Sequence, residues 1–208
     1  MNALAPISTG LSHELAHDLV TGMEWPAATV RDLLSLAADV KSRPDNYRTA
    51  LVGKYLALIF EKPSLRTRTT FDVGMQSMGG GAVFLDHTAT RLGERESIKD
   101  VAKNLERWVH AIAARTFAQS SLEELAANAS IPIINALSDV YHPCQAFADF
   151  FTLEEHFGGV RGLKVAYVGD GNNVCNSLLL AGGEVFGLVF VAIILMVRKS
   201  HRDRKSVV

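Results

Sequence analysis

The stretch Tyr55-Leu56-Ala57-Leu58-Ile59-Phe60-Glu61-Lys62-Pro63-Ser64-Leu65-Arg66-Thr67-Arg68 reads as an apolar strand, a polar turn and a helix start, in that order. Ser64 stands at the N-cap. Phe71, Met75 and Met78 follow at helical spacing, the triple glycine Gly79-Gly80-Gly81 stops the helix, and Ala82 to Leu85 reads as the next strand.

The same unit recurs along the chain. Ser97 and Asp100 match a capping box before a helix carrying Ile98, Val101, Ala102, Leu105, Trp108 and Val109 on one face, followed by a strand from Ala111 to Ala114. Ser121 and Glu124 open another helix, Ile131 to Ile134 is a further strand, and Pro143 suits the first turn of a long helix through about Phe157. Lys164 to Gly169 is again a strand, then Asp170-Gly171-Asn172-Asn173 leads into an apolar helix through Leu180. Before Tyr55 the chain reads as helical, with Leu33, Leu34, Leu36 and Ala37 as core. Strands alternating with helices predict an α/β fold with a doubly wound parallel sheet covered on both faces.

Composition sets outer bounds. The chain has 208 residues, 48% of them hydrophobic, and its 16 Gly and 6 Pro are spread along the whole length, which excludes disorder and coiled coil. A net charge of −1 provides no global field to gather nucleic acid or an anionic membrane. Two cysteines, and a start without a basic region leading into an apolar stretch, predict a cytoplasmic protein without a disulfide framework. The apolar run Val185 to Val197 is 13 residues long, short of the roughly 20 that a spanning helix needs, and is expected to be a buried strand-like segment.

A doubly wound sheet places ligands at the carboxyl ends of its strands. Those positions hold Ser64 to Arg68, then Arg115, then His142 to Gln145, then Asp170 to Asn173. Two guanidiniums and two hydroxyls at a helix N-terminus, where unpaired amides and the helix dipole already favour an anion, point to phosphate. His142 can donate to a carbonyl oxygen, and Gln145 one turn on can bond an amide or carbamoyl group. Together these residues describe a site for a small acyl phosphate.

EKPSLRTR, ARTF, HPCQ and VGDGNN, in this order and spacing and with SIKD before the Arg115 strand, closely resemble the ornithine carbamoyltransferases of the transcarbamylase superfamily. The resemblance covers about Leu33 to Ala181. It implies transfer of a carbamoyl group from carbamoyl phosphate to the δ-amine of L-ornithine, a step of arginine biosynthesis, with no metal or organic cofactor. By the same resemblance Ser64, the Leu65 amide, Arg66 and Thr67 hold the phosphate. Arg115 and His142 are catalytic and polarise the carbamoyl oxygen, Gln145 binds the carbamoyl nitrogen, and Asn173 contacts ornithine. Leu65 stands where most members carry threonine, as it does in some relatives acting on acylated ornithines. Arg91 falls where these enzymes reach a neighbouring subunit's carbamoyl phosphate, and a homotrimer is implied.

Residues 1–150 are expected to form the carbamoyl phosphate-binding domain and 151–208 the start of an ornithine-binding domain, truncated and aberrant after about residue 181. Such a chain would bind carbamoyl phosphate and catalyse little. Three other readings compete. His13-Glu14-Leu15-Ala16-His17 is a literal zinc-peptidase pattern, although it lies near a terminus with no third ligand marked. Gly169-x-Gly171 hints at a dinucleotide, but Val174 occupies the third glycine position. Cys144 and Cys175 read as small packing residues rather than nucleophiles.

Overall fold

The computed structural model describes residues 18–86, 91–187 and 189–194, with side chains for all of these except 184, 185 and 189–194. Along the chain run α1 (Ala27–Ser42), β1 (Tyr55–Phe60), α2 (Leu65–Ser77), β2 (Gly81–Asp86), α3 (Ile98–Leu105), β3 (Ala111–Arg115), α4 (Gln119–Asn128), β4 (Ile133–Leu137), α5 (Pro143–Phe157), β5 (Lys164–Gly169), α6 (Asn173–Leu180) and β6 (Val189–Ile194). The first four strands form one parallel sheet in the order β2-β1-β3-β4, and β5 pairs with β6 in a second parallel sheet. This is the doubly wound α/β arrangement that the alternation of elements predicts.

Period-two alternation along the strands assigns the two faces of the first sheet. Ala57, Ile59, Ile112, Ala114 and Ile133 lie in one buried cluster with Ile98, Ala102 and Leu105 of α3 and Leu122 and Leu125 of α4. Leu56, Leu58, Phe60 and Ala113 lie in another, against Phe71 and Met75 of α2. A third cluster joins Val30 and Leu34 of α1 to Ala146, Phe147 and Phe150 of α5, and reaches Ala181 and Phe186 beside the second sheet. α5 begins with Pro143, whose missing N–H costs nothing at a first turn, and ends at Gly158 with φ 73°.

Several boundaries differ from expectation for non-local reasons. α3 stops at Leu105, so Val109 is buried but Trp108 is 69% exposed instead of sharing the inner face. α4 begins at Gln119 and not at Ser121, because the Asp139 carboxylate, 20 residues away, accepts the Gln119 amide at 2.9 Å. β4 begins at Ile133, after Pro132. In α1 the fully buried residues are Thr29, Val30 and Leu34, with Leu33, Leu36 and Ala37 only partly covered. Leu19 forms a parallel bridge to Ile134 and adds a short fifth segment outside β4. The apolar run after Val185 contains strand β6, and no helix among the described residues is long and apolar enough to cross a membrane.

The end of α2 carries a glycine requirement. Gly79 has φ +83°, and a Cβ there would lie 2.8 Å from both the Arg48 carbonyl oxygen and Val52 Cγ2, whereas Gly53, at φ +75°, has open space around it. Left-handed backbone alone costs a non-glycine residue about 1–2 kcal/mol. Gly53→Ala is expected to lose about that much in urea unfolding, and Gly79→Ala distinctly more, because the added contact is to backbone.

Candidate active site

β2 lies on one side of β1 and β3 on the other, so the connections leaving β1 and β3 diverge at the carboxyl edge of the sheet. Such a point opens a crevice between neighbouring strand ends. Phe60 and Arg115 are register partners across it, and the Glu61 amide donates to the Arg115 carbonyl at 2.9 Å. The sequence-predicted residues of the first three loops all fall on this edge.

Ser64 is the N-cap of α2, its hydroxyl accepting the Thr67 amide at 3.4 Å. Helix geometry leaves the Leu65 and Arg66 amides without intrahelical acceptors. The Leu65 side chain is 84% exposed and Arg66 is exposed. Arg68 is turned onto the Phe84 ring, 3.6 Å from its centroid, which leaves Arg66 as the guanidinium at the mouth of the helix.

Arg115 is half-buried, with its Nε buried and unpartnered. Burial lowers its pKa from the ordinary value. His142 is 9% exposed, with its Nδ1 likewise buried and unpartnered. Burial, followed by the positive charge of Arg115, pushes its pKa down to about 4. At neutral pH the pair is therefore a fixed cation beside a neutral imidazole. The cation supplies charge and the imidazole supplies one N–H or one lone pair.

The other predicted residues are placed less directly. Gln145 is exposed and donates to Asp149 at 2.9 Å. Arg91 is exposed with its guanidinium 4.7 Å from the Phe117 centroid, and Lys62 Nζ lies 4.6 Å from the same ring. Asn173 donates from Nδ2 to the Ser138 carbonyl at 2.5 Å. A cleft of about 430 Å³ beside β2, lined by Asp86, Arg91, Arg95 and Trp108, does not take in Ser64, Arg115 or His142.

Two supporting residues escaped the sequence reading. Glu61 is a 4% exposed carboxylate that accepts the Leu92 amide at 2.8 Å and the Phe117 amide at 2.6 Å. Ser177 accepts the His142 amide at 2.8 Å. A carboxylate directly after a wholly apolar strand was the available signal for the first, and nothing local announced the second.

The competing readings fare differently. The His13, Glu14 and His17 pattern lies outside the described residues, and among those described no cluster of three or more His, Cys, Asp or Glu could hold a metal. Asn172 accepts the Val174 and Cys175 amides at 3.1 and 3.2 Å, so the start of α6 is closed by its own cap rather than open to a pyrophosphate. Burial pushes the Cys144 thiol up to about 12 and raises that of Cys175, so neither is a thiolate at neutral pH.

Fold and site together define a doubly wound α/β domain with a helix start suited to an anion and, on the same edge, a half-buried arginine beside a buried histidine. The profile for the aspartate/ornithine carbamoyltransferase, carbamoyl-P binding domain, matches residues 17–155, and the chain belongs to that family. An ornithine carbamoyltransferase from Shewanella oneidensis is 54% identical over 148 residues, covering 71% of this chain and 49% of that protein. The solved ornithine carbamoyltransferase from Thermus thermophilus superposes with TM-score 0.81 at 50% identity, covering 87% of this chain and 62% of that one. The Pyrococcus furiosus enzyme gives TM-score 0.80 at 41% identity, covering 85% and 57%. The chain thus spans about half the length of the curated relatives it matches, 49% in the Shewanella case.

The His142 environment makes stability depend on pH. Its folded pKa of about 4 lies below the ordinary 6.5, so between these values the unfolded chain binds more protons and stability rises with pH. Urea midpoints should fall as pH drops from 6.5 towards 4, and His142→Gln should remove this component of the slope.

Proposed function

We propose that the carboxyl edge of the first sheet binds carbamoyl phosphate, and that the protein transfers its carbamoyl group to the δ-amine of L-ornithine, giving citrulline and phosphate for arginine biosynthesis. The observation that carries this reading is the pair of buried, unpartnered groups, Arg115 Nε and His142 Nδ1, set across the switch point from the Ser64-capped helix start. In this assignment Ser64, the Leu65 amide, Arg66 and Thr67 hold the phosphate, with Arg91 at its rim. Arg115 and His142 take the carbamoyl oxygen. Gln145 binds the carbamoyl nitrogen once its amide leaves Asp149, and Asn173 meets ornithine. Residues 1–150 form the carbamoyl phosphate-binding domain and 151–208 begin the ornithine-binding domain. A homotrimer is the proposed assembly, with Arg91 reaching a neighbour's site.

The chemistry follows from where charge develops. The neutral amine attacks the carbonyl carbon, the C–N bond forms, and negative charge grows on the carbamoyl oxygen. The C–O bond to phosphate then breaks, and the departing phosphate takes up the proton that the amine gives up. Donors already aimed at that oxygen stabilise the charge without reorganising, and losing one costs roughly 10²–10³ in rate in other enzymes.

Calorimetry on the 208-residue chain tests the binding step. A guanidinium on phosphate contributes about 1.5–3 kcal/mol, so Arg66→Ala should weaken carbamoyl phosphate by roughly 10- to 100-fold. Equal binding by wild type and variant would place the anion elsewhere.

Binding without transfer is a second reading, favoured by the distribution of groups. Every residue assigned to carbamoyl phosphate lies between Ser64 and Gln145, whereas Asn173 alone is assigned to ornithine and its Nδ2 is engaged by Ser138. Misplacing a nucleophile by 1 Å can cost about 10²-fold. Citrulline formation by the 208-residue chain is therefore expected near background. Substantial turnover with ornithine would overturn this second reading, and turnover only with an acylated ornithine would redirect the acceptor assignment to the exposed Leu65.

A further inference from the structure

β4 ends at Leu137, and the five residues from Ser138 to His142 must turn the chain and deliver His142 to the switch-point edge. From inside, the Ser138 hydroxyl donates to Gln119 Oε1 at 2.5 Å and accepts the Val140 and Tyr141 amides at 3.2 and 3.0 Å. From outside, the loop meets α6. Asn173 Nδ2 donates to the Ser138 carbonyl at 2.5 Å, Asn176 Nδ2 to the Val140 carbonyl at 3.0 Å, and Ser177 Oγ accepts the His142 amide at 2.8 Å.

Positions 173, 176 and 177 are related as i, i+3 and i+4, so these three polar side chains share one stripe of the helix. Each takes a different backbone group of the same loop. His142 is the N-cap of α5, makes no side-chain cap, and precedes Pro143, so the turn of α5 offers its amide nothing. Its Nδ1 has no partner either. The imidazole therefore inherits its place from its backbone, and that backbone is fixed by a 2%-exposed serine on another helix.

We propose that Ser177, seconded by Asn176, is a positioning residue that sets the imidazole of His142 against the carbamoyl oxygen. The proposal rests on the carbamoyl phosphate reading above and extends it, since it makes α6, which leads into the second sheet, part of the apparatus that aims a donor in the first. Truncating Ser177 leaves a buried amide unpaired and lets the loop shift to find water or another acceptor. The phosphate cradle at Ser64 to Thr67 is built on the start of α2 after β1, and no hydrogen bond among the described residues joins it to this loop.

That separation gives the test a readout that simple destabilisation would not produce. Carbamoyl phosphate and inorganic phosphate are titrated into the full chain by calorimetry, for wild type, Ser177→Ala and Asn176→Ala, with folding checked by urea unfolding. The expected result is a loss of about tenfold for carbamoyl phosphate in Ser177→Ala, a smaller loss in Asn176→Ala, and unchanged inorganic phosphate affinity in both. Equal losses for both ligands, or none for either, would overturn the proposal. The NMR resonances of the His142 ring in the ligand-free chain separate its failure from that of the parent reading. Unmoved resonances in Ser177→Ala overturn the positioning role even if wild type binds. Moved resonances, with no carbamoyl phosphate binding by wild type, overturn the carbamoyl phosphate site and leave Ser177 fixing His142.

Discussion

The carboxylate of Glu61 holds the candidate site's loops in one place. A buried carboxylate is costly unless its oxygens are hydrogen-bonded. Glu61 meets that demand with two backbone amides from different loops, Leu92 on one oxygen and Phe117 on the other. Charge-assisted bonds of this kind are about twice as strong as neutral ones. Their consequence is geometric. Leu92 follows Arg91, Phe117 lies two residues beyond Arg115, and Glu61 itself is three residues before the cap of α2. One side chain thereby gathers the ends of β1 and β3 and the loop before α3. The Phe117 ring, so fixed, then carries Lys62 and Arg91 at 4.6 and 4.7 Å.

Against this satisfied anion stand the unsatisfied groups. Five buried side-chain polar atoms among the described residues lack partners, and four of them, on Arg115, Gln119, Asn135 and His142, lie on β3, β4 or the segments that follow them. Folded chains pair nearly all such atoms, so a local concentration of exceptions marks where a ligand or water completes the bonding. The sheet explains the location. Apart from Asn135 in the middle of β4, its strands are largely apolar, and the other polar groups lie at or beyond the strand ends, near where the connections after β1 and β3 part.

How legible this was in the sequence depended on the range of the interaction concerned. β1, α5 and β5 could be bounded from their own residues, and Ser64 and Ser97 announced α2 and α3 because each caps an amide three residues away. α4 was misjudged because its first amide is satisfied by Asp139, which no local pattern ties to Gln119. The Leu19 bridge to Ile134 joins positions 115 residues apart and was invisible for the same reason. The site divides in the same way. Ser64, Arg66, Arg115 and His142 could be picked out because the alternation of elements puts their loops on one edge. Glu61 and Ser177 could not, since their roles exist only through partners distant in sequence.

Burial and charge together explain why the imidazole at this edge is neutral. A protonated His142 beside the half-buried Arg115 would set two cations close together at a largely buried position. Burial and the Arg115 charge both disfavour that state, which is why the pKa falls to about 4. The arrangement divides two tasks that one residue type could not perform together. Arg115 keeps its charge at any accessible pH and, in the proposed reaction, would supply the field that a developing oxyanion needs. In the same proposal His142 would contribute a directional hydrogen bond without adding a second charge that a departing phosphate would have to leave behind. Such a bond is only as good as its aim. A neutral donor has little long-range attraction to correct a misplaced ring, so its effect depends on the backbone that Ser177 holds from α6 and the turn that Ser138 closes from within.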